Sequence, residues 1–254
     1  MQMKSWCAAA AALFVGAGIA TAADPGEPVF HLSFDTEKDG ATACVDQMKP
    51  ERVCKLNNPK RCSFAPGKVG NALFLDNPRE KSGPEDNPMA GVEVPRFWDP
   101  DFAKAMSIEM WVKLAKDGDY ARGNMYIAQC GWQYGPGFLL WYLYAKVSFN
   151  SGSTGDRKGL VGVGGAVVDL RDQWTHIAAT YDGEKKVARI YVNGECLKEK
   201  EGFVLTPPKN PRQPLFIGYP GNNARGWRGA IDEVKIYKRV LTPAEILQHA
   251  KLEL

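Results

Sequence analysis

Short segments in which apolar and polar residues alternate recur along most of the chain. In the segment 107–114, Ile108, Met110, Val112 and Leu114 fall on one face of an extended strand. This period of two residues predicts strands that have one face on a core. The same pattern predicts further strands at 29–35, 71–75, 91–94, 125–129, 138–149, 160–168, 174–181, 187–192, 215–219 and 229–238.

Two pairs of turn residues lie beside neighbouring strands of this set. Asp182-Gly183 separates 174–181 from 187–192, and Asn193-Gly194 follows the second of these strands. Asn-Gly suits a type I′ turn, because both central residues of that turn need a positive φ. The segment is therefore predicted to form an antiparallel meander.

The last predicted strand, 229–238, has an irregular pattern of apolar positions. Ile231, Val234 and Ile236 can all face the core only if a β-bulge lies at Asp232 and Glu233. A bulge adds one residue to a strand and redirects its side chains. We therefore expect a bulge at these two acidic residues.

One helix is predicted, at the C-terminal end of the chain. Thr242 is placed as its N-cap, with Pro243 at the first helical position and Glu245 at the third. These residues form a capping box. Elsewhere strands do not alternate with helices, which argues against a parallel α/β sheet.

Three long segments are predicted as loops, at 40–70, 77–90 and 206–214. The first contains Cys44, Cys54 and Cys62 in a polar stretch with little apolar material, so at least one disulfide is expected among these three cysteines. Cys130 and Cys196 lie in or beside strands, where a free thiol is the simpler expectation.

The N-terminal segment has the order of regions that is typical of a secretory signal peptide. Lys4 precedes an uncharged apolar run at 8–20, and Ala20-Thr21-Ala22 supplies small residues for cleavage. The prediction is a signal peptide at 1–22, followed by one domain at 23–254 that is secreted to the periplasm or the cell exterior. The alternative is a retained single-pass anchor; no later apolar run is long enough to span a bilayer.

Composition and charge exclude several classes of protein. Charged residues make up 24% of the chain and hydrophobic residues 44%, which is ordinary for a globular domain and untypical of disordered, collagenous or coiled-coil chains. A formal net charge of +3 gives no indication of nucleic-acid binding. Only three histidines are present, which leaves little material for a multi-histidine metal centre.

Several sequence segments, taken in order, resemble a known protein family over nearly the whole mature chain. They are FD at 34–35, GKVGNALFLD at 67–76, SIEMWVKL at 107–114, the meander at 174–195 and the final block at 214–246. Together they resemble the LamG-like jellyroll family of the concanavalin A-like lectin/glucanase fold. The resemblance implies an all-β, two-sheet antiparallel jellyroll sandwich in which the first and last strands lie near each other. The segment 40–64 departs from it and is interpreted as an insertion.

The resemblance raises the hypothesis of glycoside hydrolysis, because some glucanases have this fold. Their retaining chemistry needs two carboxylates about 5 Å apart. Here Asp232 and Glu233 are adjacent, and Glu109 has no acidic partner two or four residues away. His176 lies in an apolar strand and is expected to be a structural histidine. We therefore expect that the chain is not an enzyme, with a hydrolase of the same fold as the alternative.

A binding module for carbohydrate or another extracellular ligand is the preferred interpretation. Aromatic rings that stack on sugars are typical of such sites. Trp132 and Tyr134, between glycines, together with Trp98 and Trp227, are the candidate ligand-binding residues. Each of them could instead be a core residue, and a purely structural or adhesive domain is a further alternative.

Two other sets of polar residues could bind ligands. The resemblance implies a structural Ca²⁺ near the first and last strands, with Asp35, Asn71 and Asp232 as candidate oxygen ligands. The alternative is that Asp35 starts a turn and Asp232 faces solvent. Four basic residues in the C-terminal part of the chain could bind an acidic polysaccharide; they are Lys209, Arg212, Arg225 and Arg228. The alternative is that they are solvated surface charges.

Overall fold

The computed structural model describes residues 26–78, 88–117, 124–131, 135–154, 157–222 and 225–251. The strands in chain order are β1 (Phe30–Leu32), β2 (Ala43–Val45), β3 (Val53–Asn57), β4 (Cys62–Pro66), β5 (Asn71–Asp76), β6 (Gly91–Val94), β7 (Ala105–Leu114), β8 (Asn124–Gly131), β9 (Gly137–Leu143), β10 (Lys146–Gly152), β11 (Leu160–Val167), β12 (Thr175–Asp182), β13 (Val187–Val192), β14 (Glu195–Glu201), β15 (Leu215–Ile217) and β16 (Arg228–Tyr237). Helix α1 spans Pro243–Ala250. The predicted signal peptide lies outside the described residues.

The strands form two antiparallel sheets that pack face to face. Sheet I has the order β14-β13-β12-β7-β16-β5-β4, and β1 also pairs with β16. Sheet II has the order β11-β10-β9-β8-β15-β6-β3-β2. The apolar side chains between the sheets form one core, whose largest members include Trp227, Tyr142, Phe149, Phe203 and Phe102. The all-β sandwich and the neighbouring first and last strands are confirmed.

Strand β16 contains the predicted bulge. Its pairing with β7 shifts register between Asp232 and Lys235, and Glu233 has a φ of 51°. The extra residue lets Ile231, Val234 and Ile236 all join the core. On its other side β16 pairs with β5 before the bulge and with β1 after it. The bulge thus lies where β16 changes partners.

The predicted turns and helix cap also form. Strands β12, β13 and β14 are a meander, and the turn between the last two has positive φ at Asn193 and Gly194. In α1 the Thr242 side chain accepts a hydrogen bond from the Glu245 N–H, and the Glu245 carboxylate accepts one from the Thr242 N–H. Within the described ranges, no helix is both long and apolar enough to cross a membrane.

Two predicted segments are corrected. The single strand at 138–149 is two strands, β9 and β10, because Tyr144 and Ala145 both adopt positive φ and form a tight turn. The segment 40–70 is not a long loop, since β2, β3 and β4 lie within it. Strands β2 and β3 extend sheet II, and β4 forms an edge of sheet I. The insertion therefore contributes to the sandwich.

The expected disulfide is absent from the described part of the chain, in which all five cysteines are free thiols. Cys44 and Cys54 lie directly opposite each other on β2 and β3, and both side chains are buried in the core. Burial raises the pKa of the Cys54 and Cys62 thiols to about 12. The expectation assumed a loop without a core, whereas these thiols serve as small apolar core groups.

Candidate functional site

The outer surface of sheet II carries an unusual set of buried side chains. Along β8, β9 and β10, core residues alternate with residues on the opposite side of the sheet. We call the outward set the amide–indole face; its members are Tyr126, Gln129, Leu139, Trp141, Ser148 and Asn150. A register shift between Tyr126 and Ala128 brings Tyr126 and Gln129 to the same side. All members except Ser148 are buried, although they point away from the main core.

Strand register orders the amide–indole face into two rows. Tyr126, Trp141 and Ser148 are cross-strand partners in one row. Gln129, Leu139 and Asn150 are partners in the next. The Tyr126 and Trp141 rings lie 6.2 Å apart between centroids. Because strands are spaced about 4.8 Å apart, the backbones of Gln129 and Asn150 are about 10 Å apart.

Three polar atoms of this face have no hydrogen-bond partner. They are Gln129 Oε1, Asn150 Oδ1 and Trp141 Nε1. The side chains of the three residues are 3%, 7% and 5% exposed. Leaving a buried polar atom unsatisfied costs about 1–3 kcal/mol, and such atoms in folded proteins normally have a partner. The face therefore contains two acceptors and one donor that no group of the protein satisfies, and none of these three atoms is open to solvent.

Glycines of β11 make room for the polar side chains. Gly162 is the cross-strand partner of Asn150, and Gly164 is that of Ser148. A Cβ atom at Gly162 would lie 1.9 Å from Asn150 Nδ2, and one at Gly164 would lie 2.3 Å from Ser148 Oγ. Glycine at these alternate positions lets Asn150 and Ser148 extend over β11. This spacing, with two amides in apolar strands, is the sequence signal that could have found the face.

Trp98 is not an exposed ligand-binding residue, and the expectation that it is exposed was wrong. Its side chain is buried, and its ring meets Phe102 edge-on at 5.8 Å between centroids. Asp99 accepts a hydrogen bond from the Asp101 N–H and so caps the short 3₁₀ turn Pro100–Ala103. That turn folds Phe102 back onto Trp98.

Trp227 is likewise buried rather than exposed. Its side chain is 0% exposed and belongs to the core between the sheets. The ring contacts Tyr142, and the indole Nε1–H donates to the carbonyl oxygen of Ala230 at 3.2 Å. Neither ring face is free for a ligand, so the expectation of exposure is corrected here too.

Trp132 and Tyr134 lie outside the described residues. Their neighbours in sequence place them between the end of β8 at Gly131 and the start of β9 at Gly137. These two strands carry Gln129 and Leu139 of the amide–indole face. Ligand binding by Trp132 and Tyr134 stays a prediction.

The three predicted calcium ligands surround one turn, formed by residues 67–70 between β4 and β5. Asp35 Oδ1 accepts from the Asn71 N–H at 2.9 Å. Asp232 Oδ2 accepts from the N–H groups of Lys68 and Val69 at 2.9 and 3.0 Å. The structure thus brings all three together, and Asp232 does not face solvent as the alternative held.

The free oxygen at this turn fits calcium chemistry. Asp232 Oδ1 is buried without a partner, and burial raises the pKa of this carboxyl to about 7. A cation would offset that burial, because Ca²⁺ takes carboxylate and amide oxygens. Among the described residues, no group of three or more His, Cys, Asp and Glu side chains could hold a metal ion. Calcium binding by Asp35, Asn71 and Asp232 stays a prediction.

A second polar cluster, not foreseen from the sequence, lies between sheet I and α1. Glu109 Oε1 accepts from the Tyr237 hydroxyl at 2.9 Å and lies 2.9 Å from His249 Nδ1. His176 Nε2 is 3.5 Å from Glu109 Oε2. Burial raises the pKa of Glu109, but hydrogen bonds from His176 and His249 outweigh it and lower the pKa to about 2. His176 is thus a buried structural residue, as expected.

Comparison with known proteins identifies the family. The model of the Laminin_G_3 family, of the concanavalin A-like lectin/glucanases superfamily, matches residues 89–247, which is more than half of the chain. The chain therefore belongs to this family. A curated relative, pappalysin-1 of Mus musculus, is 32% identical over 81 residues. That match covers 31% of this chain and 5% of pappalysin-1.

Solved structures share the fold at low sequence identity. Domain 4 of AbnA, a GH43 extracellular arabinanase from Geobacillus stearothermophilus, in complex with arabinotriose, matches with a TM-score of 0.65 and 18% identity, over 89% of this chain and 98% of that one. The botulinum neurotoxin serotype D ligand binding domain in complex with N-acetylneuraminic acid matches with a TM-score of 0.61 and 13% identity, over 89% of this chain and 51% of that one.

Proposed function

We propose that this chain is an exported, non-catalytic module that binds carbohydrate through the amide–indole face. The observation that carries the proposal is the set of three unpartnered polar atoms on Gln129, Trp141 and Asn150. Sugar hydroxyl groups both donate and accept hydrogen bonds, so they suit a face that presents both kinds of atom. Two structural neighbours, bound to arabinotriose and N-acetylneuraminic acid, support a sugar as the ligand.

The surroundings of the acidic side chains support a non-catalytic role. Glu233 is paired with His31 and Lys235, and Asp232 holds the turn at 67–70. Glu109 is buried beside α1. Each carboxylate considered for glycoside hydrolysis is thus engaged in holding the fold. This favours binding over the alternative of a hydrolase.

The binding proposal is tested on a glycan array with residues 23–254. The double variant Gln129→Ala/Asn150→Ala is expected to bind roughly 5- to 150-fold more weakly, since two hydrogen bonds of about 0.5–1.5 kcal/mol each are lost. Gln248→Ala changes an exposed amide on α1 and is the matched control. Thermal melting verifies that each variant is folded. Equal glycan binding by the double variant would reject the face as the site.

The predicted aromatic pair is tested separately. Trp132→Ala is expected to weaken glycan binding while leaving the free energy of unfolding within about 1 kcal/mol. A loss of roughly 3–5 kcal/mol would instead identify a core tryptophan and remove it from the site.

Export is tested by N-terminal sequencing of the protein recovered outside the cytoplasm. We expect the mature chain to begin after Ala22 or Ala23, because small residues follow the apolar run there. Exported protein that still begins at Met1 would indicate a retained anchor.

A further inference from the structure

The outer side of sheet I carries a group of lysines and aromatic rings beyond the part on which helix α1 packs. The helix packs on the part that contains Ala178, Tyr191 and Tyr237. Further along β7, the residues on this side alternate with core residues of β5 and β7. We call this set the lysine–aromatic face; its members are Lys68, Phe74, Trp111, Lys113 and Trp174. All of them are half-buried except Trp111, which is buried.

Strand register places three members of the lysine–aromatic face in one row. Lys113 on β7 is the cross-strand partner of Ala230, and Ala230 is that of Phe74 on β5. Trp174 immediately precedes β12 and continues the row on the other side of Lys113. Because Ala230 is small, the Lys113 side chain can extend across it. The Lys113 ammonium lies 5.8 Å from the centroid of the Phe74 ring and 5.2 Å from that of Trp174.

A second ammonium group lies on the same side of the sheet. Lys68 Nζ is 4.6 Å from the centroid of the Trp111 ring. Trp111 is two residues before Lys113, or about 7 Å along β7. Neither lysine side chain forms an ion pair or a hydrogen bond with any of the described residues. A cation–π contact orients an ammonium group, but it neither neutralises the charge nor uses the N–H donors.

Arg228, in the next row of the sheet, differs from these two lysines. It is the cross-strand partner of Asp76, and its guanidinium pairs with Asp76 and, at 3.2 Å, with Asp117. One positive charge thus faces two negative charges. Arg228 is therefore already engaged, although the sequence made it a candidate for binding an acidic polysaccharide.

The other acidic side chains on this side of β7 and β16 are also engaged. Glu109 is buried beside two histidines, and Glu233 pairs with Lys235. Asp232 is buried, and its Oδ2 accepts two backbone hydrogen bonds from the turn at 67–70. Among the described residues, no carboxylate is thus left to neutralise the two lysines of the lysine–aromatic face.

We propose that the lysine–aromatic face is a second binding surface, which takes a polysaccharide that carries carboxylates. Lysine donates charge-assisted hydrogen bonds to a carboxylate, and an aromatic ring packs on the apolar face of a sugar ring. A uronic acid combines both features in every residue, which matches ammonium groups that lie between aromatic rings. The surface is on the opposite side of the sandwich from the amide–indole face, so it goes beyond the proposed function.

The experiment compares hexagalacturonate with its fully methyl-esterified form, which has the same rings and no charge. Binding is measured by calorimetry at low salt and in EDTA, so that calcium cannot bridge a carboxylate to the protein. We expect hexagalacturonate to bind about tenfold more tightly than the ester, because the ester cannot form charge-assisted hydrogen bonds. Added salt should weaken the binding of the acid, since exposed charges are screened.

Variants locate the binding on the lysine–aromatic face. Lys113→Gln should weaken hexagalacturonate binding about tenfold, whereas Lys113→Arg keeps the charge and should retain most of the binding. Lys200→Gln removes an exposed lysine from β14 at the edge of sheet I and is the matched control, with no expected effect. Thermal melting verifies that each variant is folded.

Several outcomes would overturn the proposal. They are equal binding of the acid and the ester, binding that Lys113→Gln leaves unchanged, and absence of binding to hexagalacturonate, oligoguluronate and hyaluronan oligosaccharides alike. Tighter binding of phosphatidylglycerol vesicles or of an oligonucleotide, lost in Lys113→Gln, would reject the carboxylated ligand in favour of a phosphate. Hexagalacturonate binding that is lost in Gln129→Ala/Asn150→Ala and kept in Lys113→Gln would reject this surface while supporting the proposed function.

Discussion

Glu109 shows how a single buried charge can be stabilised by the residues around it. Its carboxylate contacts one hydroxyl and two imidazoles, which come from β16, β12 and α1. A buried charge is tolerated only when it is paired and hydrogen-bonded. The sequence places Glu109 on the polar side of a strand, but its partners lie 67 to 140 residues away. No local pattern could therefore predict this cluster.

The stabilisation by Glu109 is expected to depend on pH. The pKa of Glu109 is lowered to about 2 in the fold, so its contribution is present above the usual value of 4.5 and is lost as the pH falls towards 2. Glu109→Gln should reduce the free energy of unfolding by roughly 3 kcal/mol near neutral pH. Urea unfolding of both proteins across this range measures the difference, which should shrink in acid.

A matched variant distinguishes burial from charge alone. Glu199→Gln removes a glutamate on the exposed strand β14, where it pairs with Arg189. Exposed pairs contribute little, so the change should stay within about 0.5 kcal/mol. A destabilisation by Glu109→Gln that is the same at all pH values would contradict the assigned ionisation.

At the scale of elements, local sequence chemistry is reliable where short-range contacts decide the structure. The capping box of α1, the Asn193-Gly194 turn and the bulge of β16 were all predicted correctly. The turn at Tyr144 and Ala145 was missed, because neither residue is typical of a type I′ turn. There the hairpin pairing of β9 with β10 imposes positive φ on residues that disfavour it.

Helix α1 is expected to be held on sheet I mainly by Ile246. This side chain is fully buried against Tyr191 and Tyr237, whereas Leu247 beside it is 38% exposed. Ile246→Ala should lower the free energy of unfolding by about 2–4 kcal/mol, and Leu247→Ala by less than about 1 kcal/mol. Chemical denaturation measures both. Equal effects would show that the helix does not dock through Ile246.

At the scale of the whole molecule, two distant parts of the chain meet the turn at 67–70 and the residue that follows it. Asp35 follows β1, Asp232 lies in β16, and Asn71 begins β5. The resemblance predicted this meeting, because the family brings its first and last strands together. The Asp232 Oδ1 atom at this meeting point is buried without a hydrogen-bond partner.

Calcium is expected to raise the melting temperature of the protein. Binding to the folded state alone adds RT ln(1 + [L]/Kd), about 2.7 kcal/mol at 100 times Kd. Excess EDTA should therefore lower the melting temperature of the wild type and have no effect on Asp232→Asn, which lacks the anionic oxygen. Identical melting of the wild type in calcium and in EDTA would remove the site.

The sequence by itself determined the all-β class, most strand positions, the bulge and the C-terminal helix. These follow from periodicity, turn residues and caps, which act over a few residues. Only the tertiary structure decided that Trp98 and Trp227 are buried, that the cysteine insertion joins both sheets, and that Gln129, Trp141 and Asn150 share one face. The physical reason is that burial and strand register depend on contacts between segments far apart in the chain, which alternation within one strand does not encode.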